Sequence, residues 1–137
     1  MKTLRSFIVF ASLFLAYSVS AVDLTSILGP WHLNSLKCKS TGQTYPAKGW
    51  SLLVDKKYFS SKIQALCEIH YSLEYKVTSN QIQLASGSIF KQCRNEPTTI
   101  TQSEKKSLNY EISLGSLYLE TENSFCKGLA IYQFVRD

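Results

Sequence analysis

This sequence of 137 residues is short of the residue types and motifs on which most catalytic sites depend. It contains two histidines, no Gly-x-Ser-x-Gly motif and no glycine-rich phosphate loop. A metal site needs three or four converging ligands, and neither His32 nor His70 has a carboxylate or a cysteine at ligand spacing. The missing motifs leave no sequence support for a serine nucleophile or a phosphate-binding loop. We therefore expect no enzymatic activity, no metal and no cofactor.

Dense basic segments are also missing. The chain has 15 Lys and Arg residues against 10 Asp and Glu residues, which gives a net charge of +5. The basic residues are scattered, and only Lys56-Lys57 and Lys105-Lys106 are adjacent. Binding to nucleic acid or to an acidic membrane would need a denser patch. The pattern indicates a solvated surface, and we expect no nucleic acid partner.

The first 21 residues have the pattern of a signal peptide. Lys2 and Arg5 form a short basic start, residues 7–17 are an almost uninterrupted apolar run, and Val19 and Ala21 are spaced as at a cleavage site. An uncleaved anchor is the alternative, but the run is short for a membrane span and no second one follows. We expect residues 1–21 to be removed and residues 22–137 to form a single monomeric domain, secreted or periplasmic, with no integral membrane segment.

Four cysteines in a short exported chain indicate two disulfides, which are typical of oxidising compartments. The count alone leaves three pairings open. With all four cysteines oxidised, no thiolate nucleophile would remain.

The clearest structural signal is a hairpin between two of these cysteines. Residues 67–78 alternate between apolar and polar side chains without an error, which predicts a strand with one buried face. Ser79-Asn80 then predicts a turn, and residues 81–93 run back. In this register three pairs of apolar residues share one face: Val77 with Ile82, Tyr75 with Leu84, and Ile69 with Phe90.

Further short strands are predicted on both sides of this hairpin. A short helix is predicted at residues 101–106, because Thr101 and Glu104 have capping-box spacing. About eight close-set strands indicate a small antiparallel barrel or a strongly curved sheet with at most one short helix. Outside the hairpin the predicted strands are residues 31–38, 50–55, 58–66, 108–113, 117–121 and 129–136.

Closure of such a barrel favours one pairing of the cysteines. If the first and last strands lie antiparallel, Trp31 comes close to Arg136, and Cys38 comes close to Cys126. The other bridge would then join Cys67 and Cys93 at the open end of the hairpin. In the register given above Cys67 lies opposite Gln92, so a bulge near residues 86–88 is needed to bring the two sulfurs together.

The order of these strands resembles the META domain family, small exported domains linked to heat shock, motility and virulence. The resemblance rests on Cys67, Cys93 and Tyr75 and on the closing segment Gly-Leu-Ala-Ile-Tyr-Gln-Phe-Val-Arg at residues 128–136. It implies a β-rich envelope-associated domain with a bridge between the two cysteines. The usual Gly-Cys-Asn of that family is replaced by Leu-Cys-Glu at residues 66–68.

Two further resemblances imply other functions. Gly29-Pro30-Trp31 resembles the Gly-x-Trp motif that opens lipocalins, and Arg136 stands where those barrels carry an arginine over the tryptophan. That likeness implies a carrier of a small apolar ligand. Residues 85–90 resemble the Ser-Gly-x-x-Tyr loop of bacterial lysozyme inhibitors, with Phe90 in place of the tyrosine, although here the segment falls within a predicted strand.

Aromatic residues occur on most of the predicted strands, and they have two interpretations. They could fill the barrel, as is usual in small barrels. Alternatively they could border a small apolar pocket, in which Ser86 and Ser88 face inward opposite Leu73 and Tyr71 and leave room for a ligand. The pocket candidates are Trp31, Tyr71, Tyr75, Ser86, Ser88, Phe90 and Arg136.

The leading functional hypothesis is a non-enzymatic binding domain of the envelope or the extracellular space, similar to META proteins. The alternatives are a lipocalin-like carrier of a small apolar ligand and an inhibitor of a secreted hydrolase such as lysozyme. The expected partner is accordingly an unidentified small apolar ligand or a secreted protein.

Overall fold

The fold is all-β, as a computed structural model shows for residues 26–136. No α-helix occurs in this range, so no helix there is long and apolar enough to cross a membrane. The predicted signal peptide lies outside the described residues. The strands are β1 (Gly29–Cys38), β2 (Thr44–Pro46), β3 (Trp50–Val54), β4 (Tyr58–Gln64), β5 (Cys67–Val77), β6 (Gln81–Leu84), β7 (Gly87–Cys93), β8 (Thr99–Ser103), β9 (Lys106–Ser113), β10 (Ser116–Asn123) and β11 (Gly128–Val135).

Eight of the strands close into an antiparallel barrel, which confirms the predicted fold class. Around the barrel their order is β1, β3, β4, β5, β6, β9, β10 and β11, and β11 pairs again with β1. The short strand β2 pairs with β1 outside this ring, and the β7–β8 hairpin extends the sheet from β5. The sheet therefore has a closed part and a projecting arm.

The seam between the first and last strands forms as the sequence predicts. Cys38 lies opposite Ala130 in the β1–β11 ladder, and its sulfur is bonded to that of Cys126. Both cysteines are buried and pack with Leu36 in a small cluster at this end of the barrel. The bridge thus closes a large covalent loop across the seam.

Strand β5 pairs with two successive strands, because the returning chain is interrupted after β6. Tyr75 lies opposite Leu84, but Tyr71 lies opposite Ile89, so one extra residue has been inserted between the two pairs. The insertion is a bulge at Ala85 and Ser86, where the amide of Ala85 donates a hydrogen bond of 2.8 Å to the carbonyl oxygen of Glu74.

This bulge has two consequences for the predicted register. Cys67 lies directly opposite Cys93, and the two form the second disulfide. The predicted pairs at the turn end of the hairpin are confirmed, but the pairing of Ile69 with Phe90 is wrong, since Phe90 lies opposite His70. The one-residue shift moves Phe90 to the outer face of the barrel.

Gly87 is required by close packing beside the bulge. A Cβ atom at this position would stand 2.4 Å from Cδ2 of Leu73, which is inside van der Waals contact. Gly87 therefore faces the core, and Ser88 next to it faces outward. The absence of a side chain at Gly87 lets the buried Leu73 pack against the start of β7.

The predicted helix at residues 101–106 is wrong. Thr99–Ser103 forms β8, an extended strand that pairs antiparallel with β7. The capping-box spacing of Thr101 and Glu104 is a local signal, whereas the hairpin pairs five residues of this segment with β7 and bonds the backbone groups that face β7. Long-range pairing therefore decides the structure of this segment.

The barrel interior is packed by its own side chains, which supports core filling for most of the aromatic residues. Trp50 packs edge-to-face on Tyr132 and Phe134, with ring centroids 4.9 and 5.0 Å away. The largest fully buried side chains are Phe59, Phe134, Ile27, Ile82, Leu117, Leu119 and Val54.

We expect the two disulfides to contribute unequally to stability. The Cys38–Cys126 bridge spans 88 residues and the Cys67–Cys93 bridge spans 26. Loop-closure entropy then gives about 4.6 and about 3.5 kcal/mol, respectively. Guanidinium unfolding of the C38A/C126A and C67A/C93A double variants should show the larger loss of unfolding free energy in the first. Equal losses, or the reverse order, would contradict this assignment.

Candidate functional site

Trp31 and Arg136 close one end of the barrel. The indole nitrogen of Trp31 donates a hydrogen bond of 2.9 Å to the carbonyl oxygen of Ile27, and the ring is 2% exposed. The guanidinium carbon of Arg136 lies 4.1 Å from the ring centroid, and the same group donates a hydrogen bond to the carbonyl oxygen of Ser26. The arrangement joins the two ends of the described chain through a cation–π contact.

Tyr71 and Tyr75 face the interior of the barrel from β5. The hydroxyl of Tyr75 donates a hydrogen bond of 2.6 Å to the carbonyl oxygen of Asp55, which fixes it to the β3–β4 turn. Burial raises the pKa of Tyr71 above its ordinary value, while a hydrogen bond with Ser61 acts in the opposite direction. Tyr71 therefore stays neutral through the physiological pH range.

The remaining pocket candidates lie outside the barrel or at its bulge. Ser86 is an exposed residue of the bulge, and Ser88 is on the outer face, where its hydroxyl accepts a hydrogen bond of 3.0 Å from Gln102. The prediction that both serines face inward is therefore wrong, because it assumed a hairpin without the inserted residue. Phe90 stacks on His70 on the outer face, with ring centroids 5.2 Å apart and planes inclined by 9°.

The outer face nevertheless carries a groove that includes several of these residues. We call it the outer groove; it is open to solvent, and its volume is about 930 Å³. Of the predicted residues, Trp31, Tyr71, Ser88 and Phe90 border it, while Tyr75, Ser86 and Arg136 do not. The other lining residues are Pro30, His32, Ser51, Leu52, Leu53, Ser60, Ser61, Lys62, Glu68, His70 and Ser72.

Two rows of outward-facing residues cross the strands and form the outer groove. The first row is made mainly of large side chains, and each member is paired with the next across neighbouring strands. Its members, in order, are His32, Ser51, Lys62, His70, Phe90 and Ile100. The second row has small side chains at its centre, with the paired members Pro30, Leu53, Ser60 and Ser72, and then Ser88 paired with Gln102.

The serines of the second row have short side chains and form a polar surface beside the larger side chains of the first row. We call this surface the floor of the outer groove. The hydroxyls of Ser60 and Ser72 are hydrogen-bonded at 2.8 Å. Because a hydroxyl combines one donor with two acceptor lone pairs, this pair retains hydrogen-bonding capacity toward a ligand. Leu53, which is 56% exposed, adds an apolar surface at the β3 end of the floor.

Charges at the outer groove largely balance one another. The ammonium group of Lys62 lies 3.5 Å from a carboxylate oxygen of Glu68, and Nδ1 of His70 lies 3.9 Å from the same oxygen. Both side chains of the Lys62–Glu68 pair are about half exposed, so the attraction is weak and screened. Within residues 26–136 no group of three His, Cys, Asp or Glu side chains is arranged to hold a metal ion.

Sequence reasoning missed the residues that give the outer groove its shape. Ser51, Ser60 and Ser72 stand at polar positions of three strands and look like ordinary solvent-facing residues. Their alignment depends on the registers of the β3–β4 and β4–β5 ladders, which are long-range properties. The only sequence signal for these residues is the alternation of apolar and polar side chains along each strand, which places the serines on the outer face.

Sequence comparison finds no protein-family model that matches this chain and no curated protein that matches it. The META resemblance is therefore not confirmed, and the lysozyme-inhibitor resemblance gains no support. The crystal structure of a lipocalin-like protein from Bacteroides uniformis ATCC 8492 is similar in fold, with a TM-score of 0.53 and 16% sequence identity. The similarity covers 82% of this chain and 99% of that one. At this identity the likeness shows a lipocalin-like fold alone.

We expect the contact between Arg136 and Trp31 to stabilise the barrel measurably. Replacing Arg136 with Gln removes the cation–π contact with Trp31. It also removes the positive charge of the donor in the hydrogen bond to the carbonyl oxygen of Ser26. The loss should be about 1 kcal/mol of unfolding free energy, the usual value at a partly exposed site. Denaturant titration of R136Q measures it, with R136K as the control that retains the charge. An unchanged midpoint for R136Q would contradict this role.

Proposed function

We propose that this protein is a non-enzymatic, lipocalin-like carrier that binds a small, largely apolar molecule in the outer groove. The observation that carries the proposal is the size and position of that groove. Ligand sites in proteins usually have volumes of roughly 300–1,000 Å³, and the groove measures about 930 Å³. Two of the residues singled out from the sequence, Ser88 and Phe90, border it with side chains on the outer face.

The lining of the outer groove supports an apolar ligand with a few polar groups. Phe90, Leu53 and Pro30 offer apolar surface, and the paired hydroxyls of Ser60 and Ser72 offer oriented hydrogen-bonding groups. A mostly apolar lining with a small number of placed polar groups is typical of small-molecule sites. The opposite charges of Lys62 and Glu68 balance each other, so the outer groove has no strong preference for a charged ligand.

The packed interior supports binding on the outer face rather than inside the barrel. Leu73, Phe59 and Phe134 occupy the centre and are at most 5% exposed. A ligand inside would have to displace them, and removing a buried side chain of this size from its packing costs about 3–5 kcal/mol. The outer groove requires no such rearrangement.

Export to the periplasm or out of the cell is part of this proposal. Both disulfides are consistent with an oxidising compartment. The polar side chains that line the outer groove are serines, two histidines and one charged pair. A few placed polar groups of this kind support binding of a ligand.

Filling the outer groove should weaken ligand binding without unfolding the barrel. Ser72 is exposed at the centre of the floor, so S72F places a large ring there. We expect affinity for the neutral apolar dye Nile red to fall roughly 10-fold or more, equivalent to about 1.4 kcal/mol. Fluorescence titration gives the affinity, and native mass spectrometry of the exported protein reports bound mass directly.

The matched control is S107F, because Ser107 is an exposed serine facing outward from β9 and does not border the outer groove. Equal dye affinity in S72F and S107F would place the binding site elsewhere. If the wild-type protein binds no dye and carries no bound mass, the carrier hypothesis fails.

A further inference from the structure

A second concave surface lies on the outside of the barrel, where it crosses β1, β11, β10 and β9. We call it the polar pocket; it is open to solvent, and its volume is about 400 Å³. Seven of its eight lining residues carry a hydrogen-bonding group in the side chain, and the eighth is Ile131. The outer groove extends from β1 in the other direction around the barrel, across β3, β4 and β5, and the two cavities share no lining residue.

The side chain of Gln133, in the lining of the polar pocket, is held by four hydrogen bonds. Its carbonyl oxygen accepts bonds of 2.8 Å from the hydroxyl of Ser35 and 3.3 Å from the side-chain amide of Asn34. Its amide nitrogen donates bonds of 3.1 Å to the hydroxyl of Ser116 and 3.4 Å to that of Tyr118. A glutamine side chain has two acceptor and two donor positions, so all four are used. The network orients the neighbouring hydroxyls before a ligand arrives, which lowers the entropy cost of binding.

Two hydroxyls of this network keep hydrogen-bonding capacity of opposite kinds. Ser35 donates its proton to Gln133 and keeps both acceptor lone pairs, whereas Tyr118 accepts from Gln133 and keeps its O–H donor. Ser35 and Tyr118 both pair with Gln133 across β11, and the usual strand spacing places β1 and β10 roughly 10 Å apart. A ligand that bridges them must donate at one end and accept at the other. Because every hydroxyl group does both, a hydroxyl-rich ligand meets this requirement.

The charged residues of the polar pocket favour an uncharged ligand. Lys37 and Glu111 are exposed, and within residues 26–136 neither forms an ion pair. Their opposite charges cancel, so the pocket as a whole attracts neither anions nor cations strongly. They stand on β1 and β9, three strand spacings or roughly 14 Å apart. A free amino acid carries both of its charged groups on one carbon atom and cannot reach both side chains at once.

The rest of the lining suits the carbon skeleton of a sugar. Tyr118 is half-buried, and Ile131 lines the same pocket. A tyrosine presents an apolar ring together with a polar hydroxyl. A sugar ring likewise combines C–H groups with hydroxyls, so the two surfaces are complementary.

We propose that the polar pocket is a second binding site, which takes a neutral saccharide of one or two rings. Its volume lies within the range of roughly 300–1,000 Å³ that is usual for ligand sites, and its extension across four strands suits two linked rings. The hydroxyls of Ser35 and Tyr118 and the carboxylate of Glu111 bond the hydroxyls of the sugar. This site differs from the outer groove in place and in chemistry, so the two ligands do not compete.

Titration of the full exported protein with neutral disaccharides tests the site. The probes are cellobiose, lactose, maltose and N,N′-diacetylchitobiose, with saturation-transfer NMR and calorimetry as readouts. For a shallow site with a few hydrogen bonds we expect a dissociation constant of roughly 0.1–10 mM for at least one probe. Y118F and E111A should each weaken binding roughly 5-fold, because each removes one hydrogen-bonding group. Raising NaCl from about 0.05 to 0.5 M should leave the affinity unchanged, since a neutral ligand offers no charge to screen.

The matched controls are Y45F and E96A, which remove a tyrosine hydroxyl and a glutamate charge at residues that do not line the polar pocket. Circular dichroism checks that every variant keeps its fold. A wild-type protein that binds none of the four disaccharides over this concentration range overturns the proposal. Equal effects of Y118F and Y45F, or of E111A and E96A, would overturn the location of the site.

The zwitterionic dipeptide Gly-Gly tests the class of ligand. Binding of Gly-Gly that is tighter than that of every disaccharide, and that weakens with salt, would overturn the choice of a neutral sugar. Nile red binding in the outer groove enters none of these measurements, so failure of this inference and failure of the proposed function are distinguishable.

Discussion

The extra residue at Ala85 and Ser86 determines most of what is distinctive in this structure. Without it, the return strand would continue alongside β5 with Cys93 facing away from Cys67. With it, the chain shifts by one residue, the two cysteines meet, and β7 leaves the path of β6. Because side chains alternate along a strand, the same shift turns Ser88 and Phe90 to the outside. The bridge, the projecting hairpin and the β7 wall of the outer groove follow from this insertion.

Much of the barrel could be predicted from the sequence because its signals are local and periodic. The alternation of residues 67–78 gives β5, and Ser79-Asn80 gives the turn that follows. The seam could also be predicted, since antiparallel closure of the first and last strands leaves Cys38 near Cys126 and Trp31 near Arg136. In these places local pattern and global topology agree.

The outer groove and β8 could not be predicted, because both depend on long-range pairing. A capping-box spacing at Thr101 pointed to a helix, yet the ladder with β7 supplied backbone partners that one or two helical turns could not match. Ser60 and Ser72 stand 12 residues apart in sequence and meet only in the β4–β5 register. The sequence predicted a bulge near residues 86–88 but an inward orientation for Ser88; the inserted residue at Ala85 and Ser86 precedes β7, so Ser88 and Phe90 face outward instead.

The position of the Cys67–Cys93 bridge ties the shape of the outer groove to redox conditions. The bridge joins β5 to β7 at the base of the projecting hairpin, and β7 carries Ser88 and Phe90 to the groove. Reduction would remove the covalent clamp on this arm while leaving the barrel seam held by a separate, buried bridge. A newly made chain in a reducing compartment would therefore lack a firmly held groove wall. Under the proposed function, oxidation after export would complete this wall in the compartment where the ligand is met.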